Sequence, residues 1–169
     1  AFDAPNKLDA TKCISYLTIE NKDIIPKKYR VAIGNKVFGC DDCLAICPWN
    51  KYAKKTKEIK FNDNKFNFDL LKLLKLSDKD FRNEFSGSPI KRIGRDRFIR
   101  NCCIATGNSK NEKLVPSLIN LLMNDKSSLV RGAAVWAVQQ IGNKQILLKT
   151  KIQHLNFEKE TSVIDEWYT

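Results

Sequence analysis

The sequence predicts a mostly α-helical chain in which a cysteine-bearing segment precedes a stack of helical repeats, and three observations predict it. Cys40, Cys43 and Cys47 stand in FGCDDCLAICPWN as C-x2-C-x3-C-P, a spacing that presents thiolates from one tight turn. From Phe66 onward the apolar residues recur at helical spacing. IRNCCIATGN and VRGAAVWAV then align with Arg100 on Arg131, an offset of 31 residues, which suits a paired-helix repeat of HEAT-like length.

The elements follow in order. CISYLTI is a short helix or strand under the cysteines, Pro26 marks a turn, and the cysteine loop enters a helical turn at Asp41-Asp42. Trp49, after Cys47-Pro48, either covers the edge of a bound group or packs in the core. Residues 51–65 are rich in lysine and asparagine and read as an exposed connection. Phe68, Leu70, Leu71, Leu73, Leu74 and Leu76 support a short helix. Ser77 gives an N-cap signal for the next, from Asp80 to Phe85. After the turn SGSP, LVPSLINLLMNDKSSLVRGAAVWAVQQIG reads as helix, turn, helix. Ile152, Leu155, Phe157, Val163, Ile164 and Trp167 suit a closing helix or cap, while His154 is lone and carries no signal. The division is a ferredoxin-like segment over 1–55, a helical connection over 56–85 and a HEAT-like repeat domain over 86–169.

The 169 residues hold 30 Lys and Arg against 19 Asp and Glu, a net charge of +11, with six cysteines and one histidine. Hydrophobic content of 43% supports a modest core. No apolar run reaches the roughly 18 residues of a membrane span, and AFDAPNKLDA lacks the pattern of a signal peptide. A cytoplasmic, monomeric protein without a membrane partner is therefore expected. In a reducing compartment six cysteines point to metal or redox chemistry before disulfides.

The cysteine block matches the later part of the ferredoxin run C-x2-C-x2-C-x3-C-P, with its first cysteine displaced. Cys13 is the natural replacement; burial as a small apolar residue is its other reading. Zinc, which takes four closed N/S ligands, is the rival metal. By the ferredoxin pattern Cys13, Cys40 and Cys43 serve one cluster and Cys47 a second. The four complete neither, so an upstream cysteine motif is expected before Ala1. Cys102 and Cys103 align with Ala133 and Ala134 and read as packing residues.

The charge is a patch. Residues 51–110 hold 16 Lys and Arg against 7 Asp and Glu, leaving +9, whereas the flanking regions carry +1 each. Lys51, Lys54, Lys55, Lys57 and Lys60 read largely as solvated surface. KRIGRDRFIR, 91–100, is arginine-rich, and the planar arginine fork suits phosphate. Lys91, Arg92, Arg95, Arg97 and Arg100, joined by Arg131, are the candidate nucleic-acid contacts.

In order, AFDAPNKLDATKCISYLTIE, FGCDDCLAICPWN, FSGSPIKRIGRDRFIRN and LVRGAAVWAV closely resemble the C-terminal part of the epoxyqueuosine reductase family. The resemblance covers nearly the whole chain, and the cysteine block together with SGSPIKRIGRDRFIRN is specific. It implies an oxidoreductase with two 4Fe-4S clusters and cobalamin that reduces epoxyqueuosine to queuosine at the wobble position of a tRNA anticodon stem-loop. It also implies an N-terminal cobalamin-binding domain that this chain lacks, so the chain alone is expected to be inactive and to contain no catalytic residue. Cys13, Cys40 and Cys43 would match ligands of the second cluster and Cys47 a ligand of the first. Ser15 and Asp42 would lie near the corrin, and the electron donor stays unnamed. Two other readings remain: a ferredoxin-type electron carrier with a helical interaction scaffold, and a zinc-stabilised RNA-binding module.

Overall fold

A computed structural model describes residues 1–54 and 68–168. The expected connection over 51–65, including Lys55, Lys57 and Lys60, lies mostly outside these residues. The chain starts with a small antiparallel hairpin, β1 (Phe2–Ala4) and β2 (Lys7–Leu8), with Phe2 opposite Leu8. Asn6 turns it at φ 61°, a left-handed conformation that asparagine tolerates. A 3-10 turn (Ala10–Lys12) leads to a π-helical turn (Tyr16–Glu20), so CISYLTI is helical and not a strand. Helix α1 (Lys27–Ile33) begins directly after Pro26, as the turn signal suggested.

The cysteine loop enters α2 (Asp42–Ala45) at the expected place, followed by a 3-10 turn (Pro48–Tyr52). Beyond it come α3 (Leu70–Leu73) and α4 (Asp78–Glu84). The Asp69 carboxylate accepts the Leu71 amide, and Ser77 Oγ accepts the Asp80 amide at 3.1 Å, each satisfying an amide that the first helical turn leaves unpaired. Phe68, Phe81, Phe85 and Phe98 form one aromatic cluster with ring centroids 4.8–5.6 Å apart. This cluster seats the short helices on the repeat domain.

The repeat domain contains α5 (Arg95–Ser109), α6 (Val115–Asn124), α7 (Ser128–Ile141) and α8 (Lys144–Leu155), closed by α9 (Thr161–Ile164) and a 3-10 turn (Asp165–Trp167). Helices α5 and α7 carry the two aligned sequence units and pack against one another. A Cβ on Gly107 would lie 2.7 Å from the Trp136 ring and 3.1 Å from Ala137 Cα, so glycine is what permits that approach. Cys102 and Cys103 are fully buried, as are Ala134, Val135 and Val138 opposite. Burial pushes both thiols up, so they remain protonated packing groups.

The end of the chain differs in part from expectation. Val163 and Trp167 are buried, but Ile152 and Phe157 are 57% and 52% exposed. They occupy outer positions on α8 and the following turn, which their apolar character alone did not reveal. His154 is fully buried. Its Nδ1 accepts the Trp167 indole N–H at 3.0 Å, which fixes the closing turn against α8. No helix among the described residues is long and apolar enough to cross a membrane.

Candidate iron–sulfur site and cationic surface

Cys13 and the Cys40–Cys43 loop come together because the π-helical turn is bonded to that loop. Thr18, fully buried, accepts the Gly39 amide on Oγ1 at 3.0 Å and donates to Ile14 O at 2.8 Å. Ser15 Oγ donates to Cys40 O at 3.2 Å. Gly39 has φ 78°, a left-handed conformation that costs glycine little and a side-chain-bearing residue more. It turns the chain into the loop one residue before Cys40.

All six cysteines are free thiols; Cys13, Cys40 and Cys47 are half-buried and Cys43 is exposed. Partial burial pushes the Cys40 thiol up, while a hydrogen bond from the Asp42 backbone opposes the shift. Amides directed at a ligating sulfur are one means by which proteins tune an iron–sulfur potential. No group of three or more His, Cys, Asp or Glu side chains closes around a single-ion site among the described residues. A cubane does not require that, because its irons meet thiolates at separate corners. The free, partly exposed thiols on two tethered segments fit such a cluster.

Asp42 is ion-paired to Lys36 at 3.2 Å, its side chain 65% exposed, whereas Ser15 is engaged in holding the loop. Trp49 is 74% exposed and its ring lies tilted against Tyr52 with centroids 5.5 Å apart, so its core-packing reading is wrong for this chain. Leu44 and Ile46 are exposed beside it, giving the cysteine loop an apolar outer face of the kind that marks contact surfaces. Among the described residues that line a cleft of about 640 Å³ beside Val37, Phe38, Phe68 and Phe98, none has an ionisable side chain.

The arginine run is mostly internal. Arg100 is 1% exposed and donates to the carbonyls of Leu17, Asn21 and Asp23 at 2.9, 2.9 and 2.6 Å. It is unavailable to phosphate, which corrects the expectation from charge alone. Arg97 donates to Ile19 O and Ile93 O. Arg95 pairs with Asp125 at 2.6 Å and donates to Leu76 O. Arg131 grips Glu158 through two hydrogen bonds and also reaches the carbonyls of Asp125 and Lys126. Such bonds satisfy carbonyls that turns and helix ends leave unpaired, and sequence cannot separate them from ligand contacts. Lys91 and Arg92 are exposed. Arg92 pairs with Glu20 at 2.8 Å, both side chains more than half exposed, a contact worth little in water.

Sequence reasoning missed Asn101 and Asn108, both on α5. Asn101 donates to Thr18 O and Val37 O, each at 2.8 Å. Asn108 donates to Arg30 O at 2.8 Å and Gly34 O at 2.9 Å. The available signal was asparagine inside a helix, where propensity disfavours it.

The N-terminal residues 1–50 match a family model described as a 4Fe-4S double cluster binding domain, and residues 114–145 match the HEAT repeat. The chain is 41% identical over 145 residues to epoxyqueuosine reductase of Xanthomonas campestris pv. campestris, covering 84% of this chain and 41% of that protein. A crystal structure of selenomethionine-labeled epoxyqueuosine reductase superposes with a TM-score of 0.89 at 30% identity, covering 97% of this chain and 44% of that one. Over most of its own length the chain is similar to epoxyqueuosine reductases. A structure of epoxyqueuosine reductase with a tRNA-Tyr epoxyqueuosine-modified tRNA stem loop aligns with TM-score 0.85 and 28% identity, over 98% of this chain and 46% of that one. The chain thus spans less than half the length of these epoxyqueuosine reductases. The double-cluster match covers all four cysteines that the spacing singled out, and the HEAT match covers α6 and α7.

Proposed function

We propose that this chain is the C-terminal, electron-delivering and tRNA-holding part of an epoxyqueuosine reductase that reduces epoxyqueuosine to queuosine with 4Fe-4S clusters and cobalamin. The observation that carries the proposal is the tethering of Cys13 to the Cys40–Cys43 loop inside the region matched by the double-cluster domain. When bound, clusters of this kind pass single electrons, a chemistry that side chains do not supply. Cys13, Cys40 and Cys43 would hold one cluster and Cys47 would contribute to the other. Ser15 keeps the loop closed, and Asp42 stands exposed beside Cys43, where the corrin would approach.

For tRNA, the six candidate cations reduce to the exposed Lys91 and Arg92, with Lys22 at the rim of an open cleft of about 460 Å³. Their part is electrostatic: clustered cations displace counterions from the backbone and hold the stem while a splayed base is read elsewhere.

Anaerobic purification tests the redox half. Brown protein with broad absorption near 400 nm, iron and sulfide supports the proposal, and colourless zinc protein rejects it in favour of the RNA-binding module. For the tRNA half, Lys91→Glu combined with Arg92→Glu should weaken stem-loop binding and reduce its salt dependence. Unchanged binding would leave a docking face for an acidic partner protein as the better reading of those cations.

A further inference from the structure

We infer that Asn101, on the first repeat helix, is a positioning residue for the cluster held by Cys13, Cys40 and Cys43; the inference rests on the iron–sulfur reading above. Asn101 is fully buried. Its Nδ2 donates to both Thr18 O and Val37 O at 2.8 Å. Thr18 lies on the turn that follows Cys13, and Val37 lies just before Gly39 and Cys40. One side-chain amide therefore spans the two segments that carry the ligands.

The orientation of that amide is determined by its neighbour. Asn101 Oδ1 accepts from Arg100 Nε at 3.0 Å, so the oxygen faces a cation and the NH2 group must face the carbonyls. Thr18 continues the link by accepting the Gly39 amide at 3.0 Å. Helix α5 thus reaches the cysteine loop through Asn101, Thr18 and Gly39, each bonded to the next. Removing the amide leaves two carbonyls facing an apolar or repelling group, and the loop entry loses its fixed spacing from Cys13.

Asn108 provides the internal comparison. It sits on the same helix and also donates to two carbonyls, but these belong to Arg30 and Gly34 at the end of α1. A role confined to stability predicts similar behaviour for the two asparagines, whereas positioning of the cluster predicts that they differ.

The test uses the protein at its full natural length, reconstituted anaerobically with iron and sulfide. Asn101→Leu, Asn101→Asp and Asn108→Leu are compared by the rate of iron release to a chelator, the EPR spectrum of the reduced protein and the thermal midpoint. The Asn101 variants should release iron roughly tenfold faster or more, the scale expected when an outer contact of a metal site is lost, with a shifted EPR signal. Asn108→Leu should lower the midpoint yet release iron at the wild-type rate with an unchanged spectrum. If Asn101→Leu does not fold, Asn101→Asp, which keeps the shape and the acceptor for Arg100 but has no amide donor for the two carbonyls, should show the faster release by itself. Asn101 variants that match Asn108→Leu in iron release and EPR overturn the inference alone. A wild-type protein that takes up no iron rejects the cluster reading and this inference with it.

Discussion

Arg100 and Arg131 occupy equivalent repeat positions and both have internal tasks, so a cation count overstates what the surface offers a nucleic acid. Burial first, then the nearby Arg97, lowers the Arg100 pKa to about 10, still charged at neutral pH. Arg100→Met strands three carbonyls and should cost roughly 3 kcal/mol or more, at about 1–3 kcal/mol per unsatisfied group, read from the urea midpoint. His154 and Glu158 should make the C-terminal end acid-sensitive. Burial, the largest influence, moves His154 below its ordinary 6.5. The unfolded chain therefore takes up this proton first, and stability falls as pH drops below about 6.5. Burial works to raise Glu158, but the Arg131 guanidinium and the Glu160 and Lys159 amides outweigh it and hold the carboxyl at about 2. Its contribution is complete above the ordinary 4.5 and is lost as pH falls from 4.5 toward 2. Glu158→Gln should flatten the second fall and deepen the first, because the carboxylate 3.2 Å from His154 Nε2 raises the imidazole's pKa; denaturation at stepped pH measures both.

At the scale of elements, α4 depends on its cap and the α5–α7 pair on close approach. Ser77 occupies the N-cap that the sequence indicated, and the helix starts at Asp78, two residues ahead of the expected Asp80. Ser77→Ala should cost about 1 kcal/mol and leave iron content unchanged. Gly107→Ala places a methyl group 2.7 Å from the Trp136 ring and should cost about 1–3 kcal/mol, the usual effect of overpacking. Near-UV circular dichroism should register it through Trp136. The aligned small residues at 102–103 and 133–134 indicated this packing from sequence. The glycine contact did not, because it depends on how far one helix slides along the other.

The whole molecule is closed by a buried ion pair between its two ends. Arg30 on α1 meets Glu166 in the last turn through hydrogen bonds of 2.9 and 2.6 Å, with Lys27 at 3.1 Å from the same carboxylate. Arg30 also lies over the Trp136 ring at 5.6 Å. Glu166→Gln should therefore destabilise the entire chain by about 3–5 kcal/mol, the cost of leaving a buried charge without its partner. Coincident unfolding transitions by tryptophan fluorescence and far-UV circular dichroism would show that the cysteine segment and the repeats unfold together. Two separate transitions would reject that coupling.

The sequence alone determined the local chemistry: cysteine spacing, caps, turns, the helical period and a repeat offset that located the pair of small-residue helices. These properties depend on residues a few positions apart, and that is where sequence is legible. Only the tertiary structure decided what the arginines do, that Trp49 lies outside, and that Asn101 joins the segments bearing Cys13 and Cys40. A guanidinium or an amide has the same donors whether it meets phosphate or a carbonyl distant in the chain. Which of the two it meets is decided only when the repeat helix packs against the cysteine segment and excludes water from the contact.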